Sequence, residues 1–209
     1  DAYFIICDYN TYNYQLNEMI KHIKGEFIYE YIVNPGEESK SLEDYQKIME
    51  YCIKVNLSRK SLIIALGGGV VGDLAGFVAA TYMRGIDVVQ VPTSLLAQVD
   101  SSIGGKTGIN LGNSKNIIGA FHQPKITYMN VEALKTLPEE EYISGIGEVI
   151  KYAFIEENAC EEKVNFLEFL MDNYEDILDR KTTVLLKMVK ICEKIKADVV
   201  DKDEKEGGL

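Results

Sequence analysis

A short apolar segment that runs directly into a glycine-rich turn and then into a helix constrains the fold of this chain more than any other feature. The segment SLIIAL (61–66) has the length and apolar character of a buried strand, and GGGVVGD (67–73) follows it at once. LAGFVAATYMRG (74–85) then places apolar residues at helical spacing. The glycines of the turn match G-x-G-x-x-G, a pattern in which the backbone approaches a pyrophosphate at a helix N-terminus.

The glycine pattern alone does not distinguish a nucleotide site from an ordinary tight turn between a strand and a helix. In a Rossmann fold, an acidic residue about 20 residues later, at the end of the next strand, holds the ribose. Asp87 is the nearest acid, but it starts the next strand, DVVQVP (87–92). The turn therefore suits a dinucleotide, while the ordinary Rossmann arrangement is not indicated.

The order of strand and helix patterns predicts the fold class. AYFIIC (2–7) and FIYEYIV (27–33) have the character of strands, each is followed by a helical pattern, and such alternation is typical of a parallel sheet. From about Leu137 onward, apolar residues continue at helical spacing with no strand pattern. We therefore expect an α/β fold, with a Rossmann-like parallel-sheet domain over residues 1–136 and an all-helical domain over residues 137–209.

Composition and charge exclude several classes of partner. The 209 residues carry a net charge of -11, and both nucleic acid and anionic membrane require a basic surface. No apolar run approaches the roughly 18 to 20 residues of a membrane span, so a cytoplasmic protein is expected. The four cysteines are scattered without C-x-x-C spacing, which predicts reduced structural thiols rather than a disulfide or zinc framework.

A polar, glycine-rich segment follows the strand at 87–92. It reads PTSLLAQVDSSIGGKTGINLGNSKNIIGAFHQPK (92–125), a composition that a solvated loop does not need. Gly104 and Gly105 leave the backbone bare between Asp100 and Lys106, which suits close contact with a polar ligand.

Four segments together resemble a known family. GGGVVGDLAGFVAATYMRG, VPTSLLAQVDSSIGGKTGIN, SKNIIGAFHQPK and SGIGEVIKYAFI, in this order and spacing, closely resemble the 3-dehydroquinate synthases, and the resemblance extends from about Asp8 to the last residue. It implies a carbon–oxygen lyase of the shikimate pathway that forms 3-dehydroquinate and phosphate from 3-deoxy-D-arabino-heptulosonate 7-phosphate. The implied cofactors are NAD, which is regenerated in each turnover, and a divalent metal, zinc or cobalt.

The resemblance also implies roles for individual residues of this chain. It implies that NAD is bound by Asp8, Glu37, Lys40, Gly68, Gly69, Val70, Val71, Gly72, Asp73, Thr93, Ser94, Lys106, Lys115 and Thr136. It implies that the sugar-phosphate substrate is bound by Arg84, Asp100, Lys106, Asn116, Lys151, Lys196 and Glu206. Glu148 is the implied metal ligand. Arg84 is implied to reach the substrate phosphate of a neighbouring subunit, so a homodimer is expected.

Several of these residues also have ordinary structural interpretations. Asp8 suits a helix N-cap, and Arg84 suits a cation that compensates a helix dipole. Glu37 and Lys40 suit a solvated first helical turn. Glu148, three residues before a lysine, suits a surface ion pair on one helix face. The resemblance favours the functional interpretation of each.

The ends of the chain suggest a fragment. It opens on Asp1 rather than Met, and it ends before the position where the resemblance expects a G-H-x-x-G-H segment with a metal-binding histidine. His22 and His122 are the histidines present, and neither matches a ligand position. A catalytic zinc normally takes three protein ligands, so we expect the chain alone to lack part of its metal site and to be inactive.

Three alternatives remain open at this point. The first is a sister sugar-phosphate cyclase that makes deoxy-inosose or valiolone rings, and the second is a metal-dependent alcohol or glycerol dehydrogenase, which lacks the segment DSSIGGKT (100–107). The third is a non-catalytic fragment that binds NAD without turnover. Release of phosphate would separate a cyclase from a dehydrogenase.

Overall fold

The chain forms two compact units. In the computed structural model, residues 2–159 and 164–202 are described. The first unit comprises residues 1–92 and 105–129, and the second comprises residues 93–104 and 130–209. Residues 93–104, which the predicted 1–136 domain includes, thus belong to the second unit. The boundary predicted at 136/137 stays a prediction.

A five-stranded parallel sheet forms the centre of the first unit. Its strands are β1 (Ala2–Asp8), β2 (Phe27–Val33), β3 (Leu62–Gly67), β4 (Asp87–Pro92) and β7 (Ile126–Thr127). They lie in the order β2-β1-β3-β4-β7, and each neighbouring pair is parallel. The chain therefore builds outward from β1 in one direction and then in the other, as in doubly wound folds.

Helices cover the strands of the first unit. They are α1 (Tyr9–Thr11), a π-helical turn (Tyr12–Leu16), α2 (Asn17–Ile20), α3 (Leu42–Lys54) and α4 (Gly69–Thr81), with 3-10 turns at Glu37–Ser39 and Tyr82–Arg84. Phe4 and Ile6 of β1 pack into a core with α3 and α4, while Ile5 and Cys7 pack into a second core with Leu16. Burial of alternate residues on both faces explains why these strands read as continuous apolar runs.

The first unit also contains an antiparallel hairpin that the sequence did not predict. It consists of β5 (Lys106–Leu111) and β6 (Ser114–Phe121). Gly108 lies opposite Gly119, and the pairing register shifts between Ile109 and Leu111. Glycine is depleted in strands, so a propensity argument finds no strand here.

Close packing of α4 against β5 depends on Gly76. A Cβ atom on Gly76 would lie 2.4 Å from Cγ2 of Thr107. The Thr107 side chain is itself fixed, because its hydroxyl donates to the Ala120 carbonyl oxygen at 2.8 Å. The hairpin and the helix are therefore held at a separation that excludes any larger side chain.

We expect Gly76→Ala to lower the free energy of unfolding. Overpacking costs about 1–3 kcal/mol, which exceeds the roughly 1 kcal/mol that alanine contributes through helix propensity. Gly147→Ala is the matched control, since a Cβ there would meet nothing within 4 Å, and it should stabilise the protein. Chemical denaturation measures both, and a Gly76→Ala protein as stable as the wild type would contradict the packing argument.

The second unit is helical in its described residues. Its helices are α5 (Glu139–Ala159), α6 (Phe166–Asp172), α7 (Tyr174–Leu178) and α8 (Thr182–Lys202), with a π-helical turn at Ala97–Ser101 and a 3-10 segment at Val131–Thr136. Tyr142 of α5 is buried, donates to the Ile177 carbonyl oxygen at 2.7 Å, and lies under the Arg180 guanidinium at 4.3 Å. The predicted fold class is confirmed. None of the described helices is long and apolar enough to cross a membrane.

Candidate functional site

Strand order in the sheet reverses between β1 and β3, and the carboxyl ends of these two strands lie side by side. In open α/β sheets, ligands bind in the crevice at such a point. Asp8 ends β1, and the turn that contains Gly68 follows β3 next to it. Gly68 is the N-cap of α4 and brings no side chain, so the first backbone N–H groups of the helix are left for an anion.

Two glycines of this turn lie close to neighbouring side chains. A Cβ on Gly67 would lie 2.7 Å from Cβ of Val71, and one on Gly72 would lie 2.9 Å from Oε1 of Gln90. Gln90 of β4 also donates from Nε2 to the Gly72 carbonyl oxygen at 3.1 Å. The third glycine of the pattern therefore lets the helix approach the sheet, which is its role in dinucleotide-binding turns.

Asp8 caps the helical segment that follows β1. Its Oδ1 accepts the Thr11 N–H at 2.8 Å, and the Thr11 hydroxyl lies 3.1 Å from the Leu66 carbonyl oxygen of β3. The N-cap interpretation is confirmed. Thr11, which the sequence did not single out, thus ties the ends of β1 and β3 together. The role of Asp8 at a ribose stays a prediction.

A buried ion pair joins the segment after β2 to α4. Lys40 has a side chain only 5% exposed, and its Nζ lies 2.7 Å from Oδ2 of Asp73 and 3.5 Å from Oε1 of Glu37. The interpretation of Lys40 as part of a solvated helical turn was therefore wrong. A buried charge needs such partners, because removing it from water without them costs several kcal/mol.

Glu37 remains ionised beside this pair. Burial raises the pKa of its carboxyl. A hydrogen bond from Asn110 and the charges of Lys40 and Lys115 lower the pKa by more than burial raises it, so it lies below its usual value. Lys115 itself is exposed on β6. The electrostatics of this region thus favour a fixed carboxylate between two cations.

A cavity of about 330 Å³ lies within the first unit between α4 and the hairpin. Asp73, Lys106 and Asn116 provide its polar lining, and Ile117 and Phe121 provide apolar walls. Asn116 has a left-handed backbone with φ 54°. A cation, an anion and an amide around one cavity can bind a ligand with several polar groups.

Arg84 lies in an unusual backbone segment after α4. Met83, Arg84 and Gly85 all have positive φ, at 51°, 70° and 117°. Such conformations cost of order 1–3 kcal/mol for each non-glycine residue and cluster at functional sites. Nε2 of His122 lies 2.9 Å from the Ile86 carbonyl oxygen and fixes the segment from the side of the hairpin. The Arg84 side chain is exposed.

Asp100 is the centre of the polar cluster in the second unit. Tyr152 donates its hydroxyl to Oδ1 of Asp100 at 2.8 Å, and Nζ of Lys196 lies 2.8 Å from the same oxygen. Burial raises the pKa of the Asp100 carboxyl. Lys196, the Tyr152 hydroxyl and the charge of Lys151 together lower the pKa by more than burial raises it, so it lies below its usual value. Burial and the Asp100 charge raise the pKa of Tyr152, which keeps its hydroxyl protonated.

Glu148 lies on α5 one turn before Tyr152. Its buried Oε1 is the oxygen that forms the predicted ion pair with the Lys151 ammonium, although that contact does not have the geometry of a hydrogen bond. A buried carboxylate oxygen that faces a cation can also serve as a metal ligand. In the part of the chain that the structure describes, no three His, Cys, Asp or Glu residues come together in a metal-binding group.

The remaining predicted residues lie at several places. Val70 and Val71 are in the first turn of α4, Ser94 accepts the Ala97 N–H on its hydroxyl oxygen at 3.3 Å, and Thr136 donates to the Ala133 carbonyl oxygen at 3.1 Å. Thr93 is buried at the start of the second unit. Glu206 lies outside the described residues.

The structure also reveals polar residues that the sequence did not indicate. Asn110 contacts the segment that contains Glu37, and Tyr152 contacts Asp100. The spacing of Tyr152, four residues after Glu148, places both on one helix face and was a usable signal. Asn110 gave no such signal, because its partners are distant in the sequence.

We expect Tyr152→Phe to raise the pKa of the Asp100 carboxyl, because the substitution removes a donor to its ionised form. A carboxyl with a lowered pKa stabilises the folded state above its unfolded pKa, and this contribution disappears as the pH falls through the folded pKa. The variant should therefore lose about 1–3 kcal/mol at neutral pH and less in acid. Carbon NMR of the Asp100 carboxyl measures the titration.

Tyr142→Phe is the control for this substitution. It removes another buried hydroxyl from the same helix, but one that donates to the Ile177 carbonyl oxygen. It should lower stability without moving the titration of Asp100. An unchanged Asp100 titration in Tyr152→Phe would show that the hydroxyl does not stabilise the carboxylate.

Comparison with known proteins relates this fold and these residues to one family. The family model described as 3-dehydroquinate synthase N-terminal matches residues 30–144, and the one described as 3-dehydroquinate synthase C-terminal matches residues 145–209. The 3-dehydroquinate synthase of Alkaliphilus metalliredigens is 44% identical over 209 residues, covering 100% of this chain and 57% of that protein. That of a Thermoanaerobacter species is 48% identical, covering 99% of this chain and 57% of that protein.

A solved structure shares the fold over the whole chain. The crystal structure of 2-deoxy-scyllo-inosose synthase complexed with carbaglucose-6-phosphate, NAD+ and Co2+ has a TM-score of 0.84 and 27% identity. The match covers 100% of this chain and 56% of that one. The fold is thus that of a sugar-phosphate cyclase. The chain belongs to the 3-dehydroquinate synthase family, and it spans a little over half the length of the curated relatives it matches.

Proposed function

We propose that the protein containing this chain is a 3-dehydroquinate synthase of the shikimate pathway. Its reaction converts 3-deoxy-D-arabino-heptulosonate 7-phosphate to 3-dehydroquinate and phosphate. The observation that carries the proposal is the 44–48% identity to proteins of that name over nearly the whole chain. The glycine turn, the buried Lys40–Asp73 pair and the cavity beside Lys106 support it, since they supply the kinds of groups that such a reaction needs.

NAD is the proposed cofactor of the first unit. When bound, it accepts a hydride from an alcohol and returns it within one turnover. The backbone N–H groups after Gly68 suit its pyrophosphate, and the carboxylate of Asp8 suits its ribose. Glu37 and Lys40 are further proposed contacts, held in place by Asp73 and Asn110. The presence of NAD+ in the related cyclase structure supports this assignment.

The proposed substrate is a sugar phosphate with a carboxylate. In the first unit, Lys106 and Asn116 are the proposed contacts within the cavity, and the Lys106 ammonium can pair with an anionic group of the substrate. In the second unit, we assign Asp100, Lys151, Lys196 and Glu206. Asp100, which is ionised, can accept hydrogen bonds from substrate hydroxyl groups.

A divalent metal, zinc or cobalt, is the second proposed cofactor. Glu148 is the residue of this chain that would hold it, since its buried carboxylate oxygen already faces a cation, the Lys151 ammonium. A bound divalent ion stabilises an alkoxide and so favours oxidation of a neighbouring alcohol. The expectation that this chain alone lacks a complete metal site stays a prediction.

We further propose a cytoplasmic homodimer. Arg84 is exposed and is the middle one of three successive residues with positive φ. Its side chain is suited to reach the phosphate bound by a neighbouring copy. An arginine fork binds phosphate oxygens in pairs. The acidic net charge of -11 gives no reason to expect nucleic acid or membrane as a partner.

A phosphate-release assay tests the proposed reaction. The protein is incubated with the heptulosonate phosphate, NAD and zinc, and free phosphate and 3-dehydroquinate are measured together. Formation of both in equal amounts, without net NADH, is the expected result. Accumulation of NADH without phosphate would indicate a dehydrogenase, and activity only on another sugar phosphate would indicate a sister cyclase. NAD binding without any turnover would indicate a non-catalytic protein.

A further inference from the structure

Asn110 makes three hydrogen bonds that join separate segments of the first unit. Its Nδ2 donates to Oε1 of Glu37 at 2.9 Å, and its backbone N–H donates to the Lys40 carbonyl oxygen at 2.8 Å. Its Oδ1 accepts the Asn116 N–H at 2.8 Å. Asn110 lies where the β5–β6 register shifts, so its side chain and backbone are free from the regular pairing of the hairpin.

The segments that Asn110 joins have different proposed ligands. Glu37 and Lys40 belong to the proposed NAD site, and Asn116 lines the cavity proposed for the substrate. We propose that Asn110 is a positioning residue that fixes the NAD-binding segment and the substrate-binding Asn116 in one arrangement. This inference rests on the proposed function of both segments.

The chemistry of the three contacts explains why an asparagine suits this position. An amide donates from its nitrogen and accepts on its oxygen, so one side chain serves both a carboxylate and an N–H group. Asn116 is held in a left-handed conformation, and the hydrogen bond from its N–H to Asn110 supports that conformation. The donor to Glu37 also keeps that carboxylate oriented between Lys40 and Lys115.

The substitution Asn110→Asp removes one of these contacts and keeps another. It keeps an oxygen that accepts the Asn116 N–H, but it replaces the donor to Glu37 with a second carboxylate oxygen. Lys40, which is paired with Asp73, and the exposed Lys115 are the other charged groups that face Glu37. Loss of a charge-assisted hydrogen bond and the new repulsion should raise the Kd for NAD about 10-fold or more at pH 8.

The rise in the NAD Kd that Asn110→Asp causes should depend on pH. Repulsion between two adjacent carboxylates favours protonation of one of them. The pair in the variant therefore takes up a proton at a higher pH than Glu37 does alone. The Kd of the variant should therefore fall toward the wild-type value between pH 8 and pH 6, while the wild-type Kd changes little. Titration calorimetry with NAD measures each Kd, and circular dichroism checks the fold.

Two further variants separate positioning from a general effect of charge. Asn113→Asp adds the same charge in the exposed turn of the same hairpin and should leave the NAD Kd within about twofold of wild type. In a Glu37→Gln background, the new amide can donate to the carboxylate that Asn110→Asp introduces. Adding Asn110→Asp to Glu37→Gln should then raise the Kd much less than it does in the wild type. This comparison also serves if Asn110→Asp alone fails to fold.

Three outcomes would overturn the inference. One is a wild-type Kd for NAD in Asn110→Asp at pH 8, and another is an equal penalty for this substitution in the wild-type and Glu37→Gln backgrounds. A wild-type protein that does not bind NAD would overturn the proposed NAD site itself, and that result is distinguishable because it needs no variant.

Discussion

Lys106→Ala is expected to reduce kcat/KM for phosphate release by at least about 10²–10³-fold, the range seen when one group that stabilises transition-state charge is removed. Lys106 opens β5 and lines the cavity together with Asp73 and Asn116. Its loss leaves a substrate anion with less positive charge to balance it. The NAD Kd should rise only modestly, because the glycine turn and the Lys40–Asp73 pair remain.

Lys125→Ala is the control for this substitution. Lys125 is an exposed lysine whose partner is Asp87, with 3.5 Å between Nζ and Oδ1. Surface ion pairs of this kind contribute about 0–1 kcal/mol, so activity should remain near that of the wild type. Near-normal turnover in Lys106→Ala would remove Lys106 from the substrate site.

Glu148→Ala is expected to remove most of the bound metal from the protein. The substitution deletes a buried carboxylate oxygen, which is paired with the Lys151 ammonium in this structure. Loss of a metal ligand lowers affinity strongly, because catalytic zinc sites have about three protein ligands to begin with. Lys151, the ion-pair partner, is half exposed, so its charge remains hydrated and stability should change little. Atomic absorption on the dialysed protein measures the metal-to-protein ratio.

Glu140→Ala provides the comparison for metal content. Glu140 lies in the exposed first turn of the same helix, so the variant changes the charge equally without touching the buried oxygen. It should keep the wild-type metal content. An unchanged metal-to-protein ratio in Glu148→Ala would exclude Glu148 as a ligand.

The central strands β1 and β3 were predictable from the sequence because they are buried on both faces. Runs such as FIIC in β1 and LIIAL in β3 are continuous and apolar, and each is followed by a helical pattern. The β5–β6 hairpin was not predictable in the same way. A Cβ on Gly119 would lie 2.3 Å from the Thr107 carbonyl oxygen, so the two strands approach closely through glycines that local propensity places outside strands.

In the candidate site, too, local features were predictable from the sequence and long-range contacts were not. The glycine turn is local, and its sequence pattern predicted a helix N-terminus after a strand, as the structure has it. The burial of Lys40 depends on Asp73, which is 33 residues away, and the contacts of Asn110 depend on pairing across the fold. The resemblance to a family gave Lys40 and Asp73 a role, while neither the resemblance nor periodicity indicated Asn110.

The position of β1 in the sheet has a consequence for folding. β1 pairs with β2 on one side, but its other neighbour is β3, where Tyr3 lies opposite Leu62. Closing a loop of about 60 residues costs entropy before that pairing yields any contact energy. During synthesis on the ribosome, β1 emerges about 60 residues before β3, so its apolar residues lack one of their two neighbouring strands during that time. Substitutions in β3 should therefore slow folding and expose the β1 segment to aggregation more than equally destabilising ones in α8.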